Sequence, residues 1–138
     1  MDRIKRALLI EDEEIDQRQY SRVIQRSNLV DDLCTFSYAD DALEYLMTSD
    51  DTVDVIFLDI NMPRMNGFEF LESLLEMSNE PLGSCIIFML TTSLNPADKE
   101  RAMSFKVVKE FINKPLTIED VQLAAKVVAE ARRDKENS

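Results

Sequence analysis

Apolar residues along the chain gather in five short runs: Ala7-Leu8-Leu9-Ile10, Leu33-Cys34-Thr35-Phe36, Val53-Asp54-Val55-Ile56-Phe57-Leu58, Cys85-Ile86-Ile87-Phe88-Met89-Leu90 and Glu110-Phe111-Ile112. The first, third and fourth are nearly continuous rather than alternating, the pattern of parallel strands buried on both faces. Between the runs, spacing turns helical. Tyr20, Val23 and Ile24 fall at i, i+3, i+4, Phe68, Leu71 and Leu75 at i, i+3, i+7, and Val121, Ala124, Ala125 and Val128 at i, i+3, i+4, i+7.

Polar residues mark where the helices begin. Asn95-Pro96-Ala97-Asp98 offers an N-cap, a proline at the first helical position and an acid in the first turn. Thr117-Ile118-Glu119-Asp120 has capping-box spacing, and Asp40-Asp41 is expected to cap a short second helix. The chain therefore reads as five βα units, an α/β doubly wound parallel sheet with helices on both faces. Glycine is confined to Gly67 and Gly83, both expected in connections, and the tail from residue 131 to 138 is expected to fray. One domain is expected over 1–138, with its core at about 5–130.

Charge and absences narrow the function. The chain of 138 residues carries a formal net charge of −11 at pH 7, and its first 60 residues hold 15 acids against 6 bases. Such an acidic pole repels phosphate backbones, so no nucleic-acid partner is expected. With no histidine, Ser-His-Asp and Cys-His catalysis and His-containing zinc sites are excluded. Cys34 and Cys85 lie within apolar runs and are expected as buried, reduced core thiols. No apolar stretch approaches the ~18 residues of a membrane span, and the charged start lacks a signal-peptide pattern. A cytoplasmic protein without a membrane partner is expected.

In open parallel sheets, ligands bind beyond the carboxyl ends of the strands, where strand order reverses. The residues just past each run are Glu11-Asp12, Asp59, Thr91 and, through Asn113, Lys114. Two carboxylates ~4 Å apart repel by roughly 4 kcal/mol at an effective dielectric near 20. Lys114 offsets only one of these charges. A hard divalent cation with oxygen ligands and several waters, Mg²⁺ by preference, offsets the rest. An anionic phosphoryl group can then approach, with Asp59 as its covalent acceptor. Glu13 and Glu14 read instead as a solvated helix start that complements the dipole.

The segment Leu58-Asp59-Ile60-Asn61-Met62-Pro63-Arg64-Met65-Asn66-Gly67-Phe68-Glu69-Phe70-Leu71 resembles the phosphoacceptor segment of response-regulator receiver domains. Glu11-Asp12 is similar to their acidic pair, Thr91 to their switch hydroxyl, Phe111 to their switch aromatic and Lys114-Pro115 to their active-site lysine with its cis proline. The resemblance runs from about Lys5 to the last helix, as in stand-alone chemotaxis-regulator-like members, and implies a flavodoxin-like sheet of order 2-1-3-4-5. It implies that Asp59 accepts a phosphoryl group from a sensor histidine kinase or histidine phosphotransfer protein. Mg²⁺ would be held by Asp12, Asp59 and the backbone carbonyl of Asn61, with Glu11 acting through water. Lys114 and Thr91 would bind phosphoryl oxygens, and movement of Thr91 would open space for Phe111, changing the surface offered to a downstream protein. Asn61 and Ser93 stand where the family tunes dephosphorylation. The resemblance implies a signalling protein with self-phosphorylation and autodephosphorylation as its only chemistry. A monomer or weak homodimer is expected, since Ala124, Ala125 and Val128 of the fifth helix suit a dimer face and the core equally well.

Two positions depart from the family pattern: Val107 replaces a usual glycine, so its loop must avoid positive φ, and Phe111 lacks the hydroxyl of the commoner tyrosine. Thr91 is preferred to Thr92 on register, since a shift of one residue reverses side-chain direction. Rival readings are a docking receiver that is never phosphorylated, a Mg²⁺-dependent aspartyl phosphohydrolase and a flavodoxin-like FMN carrier. The second needs an acid two residues after the nucleophile, where Asn61 stands. The third needs Ser, Thr and Gly donors where Glu11-Asp12-Glu13-Glu14 stand.

Overall fold

The computed structural model describes residues 2–77, 85–93 and 95–136. Its elements alternate as expected: β1 (Ile4–Ile10), α1 (Glu14–Arg26), β2 (Val30–Phe36), α2 (Ala39–Thr48), β3 (Val55–Asp59), α3 (Gly67–Met77), β4 (Ile86–Thr91), α4 (Pro96–Met103), β5 (Val108–Asn113) and α5 (Ile118–Glu136). All strand pairs are parallel and the order is β2-β1-β3-β4-β5. The chain leaves β1 toward β2 and returns to the other side of β1 for β3. Strand order therefore reverses at β1 and β3, and a crevice opens beyond their carboxyl ends.

The continuous apolar runs are explained by two cores. Successive residues of a strand point to opposite faces. Leu8, Ile10, Ile56, Leu58, Ile87 and Met89 share one cluster with Ala42, Leu71, Leu74 and Ala102 of α2, α3 and α4. Ala7, Leu9, Val55, Phe57, Phe88 and Leu90 share the other with Tyr20, Ile24, Val121, Ala124, Ala125 and Val128 of α1 and α5. Every residue of β3 and β4 is buried, whereas in the edge strands β2 and β5 every residue except Val108 is half-buried or exposed. Phe57 and Phe88 meet edge to face at 5.9 Å, fixing β3 against β4.

Several local expectations need correction. Asp40 and Asp41 do not cap α2; Tyr38 is its N-cap residue, with no side-chain cap, and the two acids lie in the first turn. Arg64 of the β3–α3 loop draws their carboxylates away, pairing with Asp40 and lying 3.6 Å from Asp41. On α3 the buried stripe is Phe68, Leu71 and Leu74, and Leu75 is 45% exposed. At 100° per residue Leu75 returns close to Phe68, but the buried positions Gly67, Phe70, Leu71 and Leu74 centre the inward face nearer Leu71 and Leu74, which leaves Phe68 and Leu75 at its edge. Cys34 is half-buried because β2 is an edge strand, while Cys85 is fully inside; both are free thiols.

The tail also differs. Helix α5 runs to Glu136, six residues into the segment expected to fray. Arg132 explains it, donating to Asp54 Oδ2 at 2.7 Å and to the Arg3 carbonyl at 3.2 Å. Asp54 is buried and also accepts the Lys5 amide at 2.7 Å. Asn137 and Ser138 lie outside the described residues, as does Gly83.

The helix starts at Asn95 and Thr117 form as read. Asn95 Oδ1 accepts the Ala97 amide, and Thr117 and Asp120 satisfy one another's amides. A second reciprocal box, at Asn66 and Glu69, went unread: Asn66 Oδ1 accepts the Glu69 amide at 2.9 Å, and Glu69 Oε1 accepts the Asn66 amide at 3.0 Å. Its N-x-x-E spacing is an ordinary capping-box signal. The box fixes where α3 starts, and so the length of the loop that follows β3.

Candidate functional site

The carboxyl ends of the strands bring together Glu11 and Asp12 after β1, Asp59 at the end of β3, Thr91 at the end of β4 and Lys114 after β5. Glu11, Asp59 and Thr91 are buried, Asp59 being 4% exposed. Lys114 Nζ donates to Glu11 Oε1 at 2.6 Å and lies 3.3 Å from Asp59 Oδ1. The second Glu11 oxygen accepts the Glu13 amide at 3.2 Å. Glu13 itself is the exposed N-cap residue of α1 and Glu14 opens its first turn, as the solvated reading required.

Thr91 is fully buried whereas Thr92 is exposed, which confirms the register chosen between them. Thr91 Oγ1 accepts the Ser93 amide at 2.8 Å, and the Thr91 carbonyl accepts the Lys114 amide at 2.8 Å. The Lys114-Pro115 peptide bond is cis. Phe111 is half-buried beside Ser93, Asn95, Pro96, Lys99 and Asn113, which line a shallow cleft of about 250 Å³ between α4 and β5. Val107 is absent from the non-glycine residues with positive φ, in keeping with the requirement placed on its loop; among the described residues these are Asn28 and Arg64.

The site's electrostatics follow from burial. The Asp59 carboxyl is pushed up to about 7, first by burial and then by the neighbouring Glu11 charge, against the opposing effect of Lys114. Burial alone would lower the Lys114 ammonium. Its hydrogen bond to Glu11 and the charge of Asp59 outweigh that, and it stays above the ordinary lysine range. Lys114 thus remains charged throughout the physiological range and compensates Glu11 and Asp59 only in part.

Asp12 is left over. Its Oδ1 is buried without a hydrogen-bond partner, and carboxylate oxygens of Glu11, Asp12 and Asp59 lie within 4.8 Å of one another. A buried carboxylate oxygen without a partner costs free energy. Three clustered oxygen donors fit a hard divalent cation better than any protein group nearby.

Gly67 sets how closely the β3–α3 loop folds back on this site. A Cβ there would lie 2.8 Å from the Asp59 carbonyl oxygen and 2.9 Å from Ile60 Cα. Its amide donates to the Ile60 carbonyl at 2.8 Å. Gly67→Ala should therefore destabilise the fold by about 3 kcal/mol, because backbone cannot yield as a side chain would. The midpoint of urea unfolding measures this, and an unchanged midpoint would contradict the packing described.

Sequence reasoning missed two neighbours. Asp16 Oδ2 lies 3.6 Å from Lys114 Nζ. Gln17 Nε2 donates to the Glu11 carbonyl at 2.9 Å, bracing the loop that carries the acid pair. Their signal was positional: the first turn of α1 follows β1 by three residues and must lie over the same edge.

A model of the response regulator receiver domain matches residues 7–126, nearly the whole described fold. The chain belongs to that family. As a receiver domain of two-component signalling, it has relatives at modest identity. Two-component response regulator 24 of Arabidopsis thaliana is 30% identical over 112 residues, 81% of this chain and 75% of that protein. Two-component response regulator ORR1 of Oryza sativa is 26% identical over 125 residues, 86% of this chain. The uncharacterized transcriptional regulatory protein YcbL of Bacillus subtilis is 32% identical over 80 residues, 58% of this chain. The receiver spans only 53% of the rice protein and 32% of the Bacillus protein. A two-component response regulator from Cytophaga hutchinsonii superposes with a TM-score of 0.83 at 26% identity, covering 93% of this chain and 98% of that one. One from Legionella pneumophila gives 0.75 at 26%, covering 91% and 98%. Among the described residues of this receiver, no helix is long and apolar enough to cross a membrane.

Proposed function

We propose that this receiver accepts a phosphoryl group on Asp59 from a histidine kinase or a histidine phosphotransfer protein, in a Mg²⁺-dependent reaction, and thereby changes the surface it offers to a downstream protein. The observation that carries the reading is the arrangement at the strand ends: Lys114 bridges Glu11 and Asp59, and Asp12 keeps an unpartnered buried oxygen toward the same carboxylates.

Asp12 and Asp59 would hold the cation directly, with the Asn61 backbone carbonyl, while Glu11, whose two oxygens already have partners, would act through water. The bound ion would supply positive charge to neutralise the carboxylates and the incoming group. An Asp59 oxygen attacks phosphorus in line; the O–P bond forms, the donor's P–N bond breaks, and the electron pair leaves on the imidazole, which takes a proton. Lys114 binds a phosphoryl oxygen and is already ionised for that task. Thr91, from the end of β4, accepts the Ser93 amide and keeps its hydroxyl proton to donate to another phosphoryl oxygen, toward which it moves. That movement frees space toward which half-buried Phe111 can turn, repacking α4, β5 and α5. A local charge change thus biases a two-state surface. Turnover is limited to self-phosphorylation and autodephosphorylation. Asn61 has a carboxamide, which cannot act as a general acid toward a leaving group, so a phosphoester hydrolase is not the better reading.

Incubation with acetyl phosphate and Mg²⁺ should add one phosphoryl mass per chain, removable by hydroxylamine as expected of an acyl phosphate. No mass gain, or one stable to hydroxylamine, would overturn the reading. Mg²⁺ alone should raise the thermal midpoint by roughly 4 °C for each kcal/mol of binding, about 1.4 kcal/mol at ten times the dissociation constant. In Asp12→Ala the increase should vanish; an equal increase in both proteins would place the cation elsewhere.

A further inference from the structure

The receiver site carries one more acid than its proposed chemistry uses. Asp16, in the first turn of α1, places Oδ2 3.6 Å from Lys114 Nζ, and its side chain is 34% exposed. One helical turn later Tyr20 brings its buried ring to 6.0 Å from the same ammonium. Helix α1 therefore flanks Lys114 with a carboxylate on the solvent side and an aromatic face below it. Glu11, Asp12, Asp16 and Asp59 together outnumber the charges of one lysine and one divalent cation. A negative charge is left over even in the loaded site, and Asp16 is the acid that pairs with Lys114 while bordering solvent.

We propose that Asp16 is a specificity-determining residue of the phosphoryl-acceptor site, holding Lys114 toward α1 and disfavouring small, highly charged phosphoryl donors. The inference rests on the acceptor reading of Asp59 given above. A dianionic donor must approach the residual negative charge and draw Lys114 away from Asp16 before its phosphoryl oxygens are bound. A donor with less charge meets a smaller barrier. The reaction itself is unchanged: an Asp59 oxygen bonds to phosphorus and the donor's leaving group departs with the electron pair.

The test compares phosphorylation rates, at limiting donor with Mg²⁺ present, for acetyl phosphate, a dianion at neutral pH, and phosphoramidate, which carries less charge. For Asp16→Asn the rate with acetyl phosphate should rise about five- to tenfold, and with phosphoramidate about twofold. The difference between donors should shrink at 0.5 M salt, where the Debye length falls to roughly 4 Å. Asp16→Glu should restore the wild-type discrimination, and Asp16→Ser is a second neutral variant held to the same criteria. An equal change for both donors, a loss of rate, or a difference indifferent to salt would overturn the role of Asp16, since a merely structural residue does not distinguish donor charge. Wild-type protein left unmodified by both donors would overturn the acceptor reading, and this inference with it. Wild-type modification with both neutral variants unchanged would overturn the inference alone.

Discussion

Asp59→Asn should gain no phosphoryl mass under conditions that modify the wild-type receiver, and its metal-free form should be the more stable of the two above neutral pH. Both outcomes come from one carboxylate. Asp59 sits at the end of a fully buried strand, 3.3 Å from Lys114, and supplies the only oxygen assigned to attack phosphorus. Asparagine keeps the shape and removes both nucleophile and charge. The stability change follows from linkage. The folded carboxyl titrates at about 7, well above its value of 3.8 in an unconstrained chain. The folded state therefore holds that proton more tightly, and stability declines as pH rises through the window from about 4 to 7; above it the full penalty is present. Removing the group should raise stability by about 1–3 kcal/mol at pH 8 and leave it nearly unchanged below pH 4. Urea unfolding in the presence of a chelator measures the difference. A wild-type protein more stable at pH 8 than the variant would show that burial and Glu11 do not dominate at Asp59, and phosphorylation of the variant would move the acceptor elsewhere.

Lys114→Ala should lose about as much stability as any change at this edge, with a pH dependence that a packing change lacks. The ammonium is the cation for Glu11, Asp59 and Asp16 at once, and Glu11 is wholly inaccessible to solvent. Removing one partner of a buried ion pair costs about 3–5 kcal/mol. The lower figure is expected here because the raised Asp59 carboxyl can take up a proton. The loss should accordingly be smaller near pH 5 than near pH 8. The wild-type lysine behaves oppositely at high pH: its folded value exceeds 10.5, so its contribution is complete below that pH and is lost only as pH rises through the folded value. Millimolar Mg²⁺ should restore part of the stability of Lys114→Ala, since a dication can replace the missing charge. A variant as stable as wild type at pH 8 would mean that these carboxylates are not held together as described.

Much of this was legible in the sequence because the chemistry stands immediately beyond the strands. Leu8-Leu9-Ile10, Phe57-Leu58 and Met89-Leu90 announce buried parallel strands, and the residues that follow them, Glu11, Asp59 and Thr91, must share one edge once the sheet is parallel. The choice of Thr91 over Thr92 needed only the alternation of a strand. Lys114 was placed by the same logic through Asn113, which pairs in register with Thr91. Less legible were contributions from helices, where facing depends on the angle at which each helix crosses the sheet. Asp16 and Gln17 reach the site for that reason, and Leu75 is exposed for it. Asp40 and Asp41 were misread because their partner, Arg64, is 24 residues from Asp40 and sits at positive φ, which no local pattern signals. Arg132 likewise reaches Asp54 across 78 positions.

That last contact has a mechanical consequence. Helix α5 is fastened at Arg132 to the end of the sheet opposite the acids, while its beginning at Ile118 follows Lys114 by four residues. Any tilt that spares this contact is largest at the other end of the helix. Over the ~21 Å from Ile118 to Arg132, a tilt of about 5° leaves the fastening in place and carries the start of the helix roughly 2 Å. A rearrangement near Lys114 that tilted α5 against its core contacts would therefore be largest at the helix start, and a binding partner would meet it at the exposed Ile118 and Glu119.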